Sequence, residues 1–156
     1  MSIVAQEYMQ ANPGSLARNV EIVATDISKT ILEQAKQACY DELSLVRGMS
    51  TERRNRYFTQ HDKMWQLNSD IKRRVRFTEL NLMQSFASLG KFDIIFCRNV
   101  LIYFSAELKG DILNRMAKQL QPGGYLVLGS SESITGHTEA FKMVRSGGAV
   151  YYQLTS

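Results

Sequence analysis

A polar pair interrupts an apolar run in the segment FCRNVLIYF, residues 96–104. Arg98 and Asn99 follow residues typical of a buried strand, and buried polar groups need hydrogen-bonding partners. The segment therefore lines either a binding site or a hydrogen-bonded turn. Tyr103 lies four residues beyond Asn99, so both side chains could face one cavity if the segment turns helically. The alternative for Tyr103 is packing in the core, with its hydroxyl group satisfied locally.

Two more polar residues follow stretches that resemble strands. Asp26 ends an apolar, β-branched run, where a carboxylate could accept hydrogen bonds from the two hydroxyls of a ribose. It could equally cap the helix that begins near Ser28. Asn81 and Leu82 end another such run, where an amide side chain and a backbone N–H could recognise an adenine edge. The alternative for Asn81 is an ordinary turn.

Other kinds of catalytic site find little support. His61 and His137 stand alone in polar surroundings, so we interpret them as surface residues and not as catalytic bases. No Ser–His–Asp set, carboxylate pair or P-loop can be recognised, which argues against hydrolysis and phosphoryl transfer. Cys39 and Cys97 have no second cysteine or histidine at metal spacing. We therefore expect no metal site, no disulfide framework and two reduced thiols.

The elements that must position these residues alternate between strand and helix. This order predicts an α/β fold with a doubly wound, mostly parallel sheet, whose ligand lies at the carboxyl ends of the strands. The candidates at strand ends are Asp26, Asn81, Cys97–Asn99 and Ser130–Glu132. The predicted helices cover 2–10, 28 to about 39, a stretch after Ser50 and about 105–120, the last of which is closed by QPGG. The predicted strands cover 20–26, 75–82, 91–99, YLVLGSSE and AVYYQL. We expect AVYYQL to be antiparallel and to lie at or near the sheet edge.

The composition is that of one globular domain. Of 156 residues 44% are hydrophobic and 22% charged, which suffices for a single core. The sequence has no apolar run of membrane-spanning length and no secretory signal, so we expect no membrane insertion and a cytoplasmic location. The net charge of +4 is concentrated at 52–56 and 72–74. We interpret these clusters as solvated faces, with an acidic protein partner as the alternative and no nucleic acid bound.

Several segments resemble, in order and spacing, the S-adenosylmethionine domain of CheR-type chemoreceptor glutamate methyltransferases. They are VATDIS with ILEQAKQACY, RYF, FTELNL, FDIIFCRNVLIYF, LQPGGYLVLGSSE and the terminal VYY. Together they cover nearly the whole chain, and FDIIFCRNVLIYF is the most specific. The resemblance implies transfer of a methyl group from S-adenosylmethionine to glutamate side chains of methyl-accepting chemotaxis receptors, whose cytoplasmic helices would be the partners. The product would be S-adenosylhomocysteine.

The resemblance also implies roles for the strand-end residues. Methyl transfer to a carboxylate is an in-line displacement that needs alignment and desolvation more than a strong base, so no general base is expected. The implied cofactor-binding residues are Asp26 for the ribose, Asn81 and Leu82 for the adenine, and Cys97, Arg98 and Asn99 for the methionine part; the implied catalytic residues are Arg98 and Tyr103.

The chain departs from the family in three ways. The family's helical N-terminal domain and its first strand, with a glycine-containing loop, have no counterpart, and MSIV resembles the segment just after that loop. We therefore expect a truncated domain whose sheet lacks one strand, exposes edges prone to self-association, and binds S-adenosylmethionine weakly or not at all. Residues 56–78 resemble the small antiparallel subdomain that the family inserts. Ser130 stands where the family has a histidine.

Two other functions stay open. A non-catalytic binding or regulatory module would keep the fold but would have no physical need for the combination of Asp26, Asn81, Arg98, Asn99 and Tyr103. A nicotinamide-dependent oxidoreductase would share the strand-end aspartate but gives no reason for FCRNVLIYF.

Overall fold

The computed structural model describes residues 1–14 and 20–155. They divide into two compact units, Met1–Asn81 and Leu82–Ser156. The first unit contains α1 (Ser2–Ala11), β1 (Ile22–Asp26), α2 (Lys29–Gln37), β2 (Cys39–Asp41), α3 (Glu42–Val46), α4 (Thr51–Tyr57), β3 (Phe58–His61), β4 (Met64–Leu67), α5 (Ser69–Lys72) and β5 (Val75–Glu79). The second contains β6 (Phe92–Cys97), α6 (Ala106–Lys118), β7 (Leu120–Leu128), β8 (Phe141–Ser146) and β9 (Ala149–Leu154), with 3-10 turns at Ala87–Leu89 and Leu101–Tyr103.

Serine caps set the starts of three helices. Ser28, Ser50 and Ser105 each accept a hydrogen bond from the backbone N–H three residues further on, at 3.2–3.3 Å. This is the geometry that favours serine immediately before a helix. The predicted starts of α2, α4 and α6 are confirmed, but α2 ends earlier than predicted. Ala38 takes a left-handed conformation with φ 54°, and the chain then enters β2.

The first unit holds a parallel pair of strands, β1 and β5. Their register runs from Ile22 opposite Val75 to Asp26 opposite Glu79. The backbone N–H of Leu80 donates to the carbonyl of Asp26 at 2.9 Å, which extends the pairing past the end of β5. The two strands therefore end at the same edge, as the predicted parallel arrangement requires.

The same unit contains a three-stranded antiparallel sheet in the order β2-β4-β3. The structure places its limits differently from the predicted 56–78. Cys39–Asp41 belong to this sheet because they pair with Gln66–Met64, whereas Val75–Thr78 pair with β1. Both differences arise from pairing between distant segments. Its apolar core consists of Ile3, Leu45, Tyr57, Phe58, Trp65 and Ile71.

Two arginines of the basic cluster at 52–56 form ion pairs with carboxylates of this unit. Arg53 donates two hydrogen bonds to Glu7, at 2.9 and 2.6 Å. Arg54 pairs with Glu42 and lies 4.5 Å from the centre of the Trp65 ring. The interpretation of this cluster as solvated is therefore wrong for Arg53 and Arg54, because carboxylates from other parts of the chain neutralise them.

The second unit is built on a four-stranded sheet in the order β6-β7-β9-β8. β6 and β7 are parallel, and β9 runs antiparallel to both β7 and β8. The predicted antiparallel last strand near the sheet edge is confirmed, because β9 lies next to the edge strand β8. QPGG lies within β7 at a register shift and does not close α6. The fully buried core side chains are Leu101, Ile112, Leu113, Leu120 and Leu126.

Three parallel strands, β1, β5 and β6, have one neighbour each among the described residues. Among the strands of the described ranges, β1 pairs only with β5, and β6 pairs only with β7. Within its own unit, each of β1 and β6 therefore keeps one edge that no described strand pairs with. Along β6 the side chains of Ile94 and Phe96 are about half exposed, so the prediction of a strand buried on both faces is wrong here. None of the described helices is long and apolar enough to cross a membrane.

Candidate functional site

Asp26 is half-buried at the end of β1 and is not the residue that caps α2, while its binding of a ribose stays a prediction. Its Oδ1 accepts a hydrogen bond from the backbone N–H of Ser28 at 2.8 Å, so it orders the turn into α2. Ser28 itself caps the helix. No hydrogen bond from the described residues is recorded to Oδ2 of Asp26. One oxygen thus holds the local turn, while the second is available for a ribose hydroxyl group.

Asn81 and Leu82 follow β5 at the edge where Asp26 ends β1. Both are half-buried. The carbonyl of Leu82 accepts a hydrogen bond from Arg115 of α6 at 2.7 Å, and the carbonyl of Gln84 accepts one at 2.6 Å. Arg115 also stacks 5.0 Å from the Phe86 ring centre. The segment after Leu82 is therefore fixed to α6, which gives a backbone N–H in this stretch a defined position.

Cys97 is the last residue of β6 and only 5% exposed. Burial, together with the nearby negative charge of Glu132, raises the pKa of its thiol to about 12. The thiol is therefore protonated at neutral pH and cannot act as a nucleophile. Cys97 is suited to packing behind a site and not to covalent chemistry.

The next two residues turn the chain away from the sheet. Arg98 and Asn99 are exposed, and Arg98 forms no ion pair with any residue that the structure describes. Asn99 adopts the left-handed conformation with φ 59°, which asparagine tolerates better than most residues. The helical turn starts only at Val100 and continues through the 3-10 turn. Asn99 and Tyr103 thus do not belong to one continuous helical turn, contrary to the condition on which their shared cavity was predicted.

The turn after β6 is held by Glu132, which lies just beyond β7. Glu132 Oε2 accepts hydrogen bonds from the N–H groups of Asn99 at 2.7 Å and Gly129 at 2.8 Å. Its Oε1 accepts those of Val100 at 3.0 Å and Leu101 at 2.8 Å. Burial raises the pKa of Glu132, but these four donors outweigh burial and hold the pKa below its ordinary value. The carboxylate is therefore ionised at neutral pH.

Gly129 makes this close approach sterically feasible. A Cβ atom at this position would overlap Asn99 Oδ1 and would lie 2.7 Å from Glu132 Oε2 and 3.0 Å from the backbone nitrogen of Asn99. The turn from Gly129 to Glu132 is closed by a hydrogen bond of 3.0 Å between the Glu132 N–H and the Gly129 carbonyl. Glycine is thus required by close packing, because any side chain would displace the carboxylate.

Tyr103 ends the 3-10 turn and is 80% exposed. The alternative of core packing is therefore wrong for Tyr103. The apolar residue of this turn that does pack in the core is Leu101, which is 2% exposed. The hydroxyl of Tyr103 and the guanidinium of Arg98 both remain accessible to a ligand.

These residues fit S-adenosylmethionine in two respects. One oxygen of Asp26 is available for a ribose, as such a cofactor requires. The backbone N–H groups at the ends of β6 and β7 would otherwise attract a phosphate, but Glu132 already occupies them. S-adenosylmethionine carries a ribose and a positively charged sulfur but no phosphate.

The sequence predicted the polar turn but not the residue that holds it. Glu132 was included in a strand-end segment without a role. Its signal was a carboxylate immediately after a buried strand and three residues beyond a glycine, a pattern too common to assign alone. The bond to Asn99 spans 33 residues, so only the folded chain reveals it.

Comparison with known proteins identifies the family. Residues 1–150 match the family described as CheR methyltransferase, SAM binding domain. The chain is 50% identical over 155 residues to a chemotaxis protein methyltransferase of Vibrio anguillarum, covering 99% of this chain and 56% of the relative. It is 52% identical over 149 residues to one of Vibrio parahaemolyticus, covering 95% and 54%. The chain thus spans about half the length of the curated relatives that it matches.

Solved structures show weaker similarity. The crystal structure of TrmN from Thermus thermophilus aligns with 97% of this chain and 39% of its own, at a TM-score of 0.49 and 17% identity. That of the N-methyltransferase NodS from Bradyrhizobium japonicum aligns with 87% and 74%, at 0.48 and 19%. Both scores lie under 0.5, so the assignment rests on the sequence similarity. By that similarity, the chain belongs to the CheR methyltransferase family and covers its S-adenosylmethionine-binding domain.

Proposed function

We propose that the protein transfers the methyl group of S-adenosylmethionine to glutamate side chains of methyl-accepting chemotaxis receptors. The observation that carries the proposal is the sequence similarity to chemotaxis protein methyltransferases along nearly the whole chain. The exposed Arg98 and Tyr103 after β6 support it, because both present hydrogen-bond donors that suit a carboxylate. The alternative of a non-catalytic module gives these two side chains no function.

The cofactor would supply an activated methyl group on a positively charged sulfur. Asp26 would bind the ribose through Oδ2, and Asn81 and Leu82 would recognise the adenine. The turn of Cys97, Arg98 and Asn99 would hold the methionine part, with Cys97 excluding water behind it. Each of these roles is an assignment that site-directed variants must test.

Residues around the substrate have an orienting function. A glutamate side chain is ionised at neutral pH, so its oxygen needs no base to become a nucleophile. Arg98 could hold the carboxylate through its guanidinium donors, and Tyr103 through its hydroxyl group. The protein then has to align the reacting groups and exclude water. A buried, protonated Cys97 accords with this, because it cannot act as a base.

Tritiated methyl transfer to receptor-containing membranes tests this proposal. The assay should use both this chain and a version that matches the full length of the relatives, since the chain spans about half of their length. Replacement of Arg98 by lysine should reduce transfer, because lysine loses the bidentate geometry. The matched control is Arg145→Lys, an exposed position on β8. No transfer by either version, with the membranes still bound, would instead favour the non-catalytic module.

The partners are proposed on the same basis. The substrate glutamates would lie on the cytoplasmic helices of the receptors, and the protein would then act in the cytoplasm. We also propose self-association through β6, because an unpaired strand edge presents free N–H and C=O groups to a second strand. Sedimentation should then show a dimer that Ile94→Lys on β6 weakens. A monomer at all concentrations would contradict this part.

A further inference from the structure

We infer that Glu132 is a positioning residue whose ionised carboxylate holds the Asn99–Leu101 turn, and with it Arg98 and Asn99, in the shape that binds the cofactor. The proposed function gives Glu132 no role, although four backbone N–H groups converge on it. The inference rests on that function for the identity of the cofactor. For the turn itself it rests on the four hydrogen bonds alone.

The turn has few other means of keeping its shape. Asn99 takes a left-handed backbone conformation, and the N–H groups of three consecutive residues, Asn99 to Leu101, point toward one carboxylate. Successive N–H groups of this kind form a concave site for an anion. Here the anion is part of the chain. Without it these donors would seek water, and the exposed residues Arg98 and Asn99 would lose their fixed orientation.

Both the charge and the length of the side chain matter. Each carboxylate oxygen of Glu132 accepts two of the four hydrogen bonds, one pair from Val100 and Leu101 and the other from Asn99 and Gly129. Glutamine would retain one acceptor oxygen and would turn an NH₂ group toward the other pair of donors. Aspartate would keep the charge, but it is one methylene shorter. A particular loss is therefore expected from each substitution.

The filled anion site also affects specificity. A phosphate group would compete with the Glu132 carboxylate for the same N–H groups and would meet its negative charge. Removal of the carboxylate should therefore create a site for a small anion where none binds in the natural chain.

Amide hydrogen exchange measured by NMR tests the turn without any cofactor. In Glu132→Gln we expect exchange to become faster by about tenfold or more at two of the four amides, as a pair that shares one oxygen. The matched control is Glu139→Gln, an exposed glutamate of the same unit, which should leave all four rates unchanged. Wild-type rates at all four amides in Glu132→Gln would overturn the inference. If that variant does not fold, the same measurement on Glu132→Asp decides: four unchanged rates there would overturn it equally.

Chemical rescue tests the connection to the cofactor, in whichever version of the protein binds S-adenosylmethionine in calorimetry. We expect Glu132→Ala to bind it about tenfold more weakly. Formate should restore part of the affinity by occupying the emptied site, while chloride at the same ionic strength should not. Weakened binding that formate does not restore would overturn the positioning function. If no version binds S-adenosylmethionine, the proposed function fails, whereas the exchange rates still decide whether Glu132 holds the turn.

Discussion

Replacement of Gly129 by alanine introduces one methyl group where β7 gives way to the turn that ends at Glu132. The new Cβ would overlap Asn99 Oδ1, which terminates an exposed side chain and can rotate away. It would also lie 2.7 Å from Glu132 Oε2 and 3.0 Å from the backbone nitrogen of Asn99. A hydrogen bond joins these two atoms, so they cannot both move away from the new Cβ without breaking it.

The magnitude follows from the bonds that Glu132 Oε2 makes. Displacement of this oxygen weakens two hydrogen bonds to a charged acceptor, each worth about 1.5–3 kcal/mol. Gly129 does not have a positive φ, so alanine is compatible with its backbone conformation. Alanine also reduces the entropy of the unfolded chain, which offsets about 0.4–1 kcal/mol. We therefore expect Gly129→Ala to lower the free energy of unfolding by about 2–4 kcal/mol.

Urea unfolding followed by circular dichroism measures this change, and thermal unfolding should show a fall in Tm of roughly 5–15 °C. The matched control is Gly48→Ala, since a Cβ there meets nothing within 4 Å and φ is not positive. That variant should stay within about 0.5 kcal/mol of the natural chain. If Gly129→Ala unfolds at the same urea concentration as Gly48→Ala, the close packing around Glu132 does not stabilise the fold.

Four further predictions concern the second unit and its site. Leu113→Ala should lower the free energy of unfolding by about 2–5 kcal/mol in urea, because Leu113 is fully buried. In the native protein Cys97 should react with a thiol reagent far more slowly than the half-buried Cys39 at pH 8, because burial raises the pKa of Cys97 to about 12. Tyr103→Phe should leave Tm unchanged, because Tyr103 is 80% exposed, yet reduce methyl transfer to receptor membranes. The pKa of Glu132 is lower in the folded than in the unfolded chain, so the ionised carboxylate stabilises the fold fully at pH values above the unfolded pKa. The Tm difference between the natural chain and Glu132→Gln should therefore shrink as pH falls through the folded pKa.

Each of these has a result that contradicts it. An unchanged urea midpoint for Leu113→Ala would mean that this part of the core is not packed as described. Equal reaction rates of Cys97 and Cys39 would show that β6 opens readily. Full methyl transfer by Tyr103→Phe, with Tyr8→Phe as the exposed control, would remove the hydroxyl from the mechanism. A Tm difference for Glu132→Gln that is independent of pH would mean that the ionised state of Glu132 does not stabilise the turn.

Local features of the sequence sufficed to predict the helices α1, α2, α4 and α6 and the strands β1, β5, β6, β7 and β9, but not α3, α5 or β8. A serine that caps a helix accepts a hydrogen bond from an N–H three residues away, so Ser28 and Ser50 indicate the starts of their helices without any distant contact. An apolar run that ends in a polar residue similarly indicates a strand of an α/β sheet, as at Asp26. The short β2 was not predicted, because its three residues form a strand only by pairing with β4.

The sequence by itself determined the family, the α/β class and the polar segment after β6, because these depend on local patterns and motif order. Only the tertiary structure decided what holds that segment in place. Hydrogen bonds from Val100 and Leu101 to Glu132 cross more than thirty residues. The ion pair of Arg53 with Glu7 likewise joins residues 46 positions apart. Long-range contacts of this kind depend on how the whole chain packs, and no local pattern of residues specifies them.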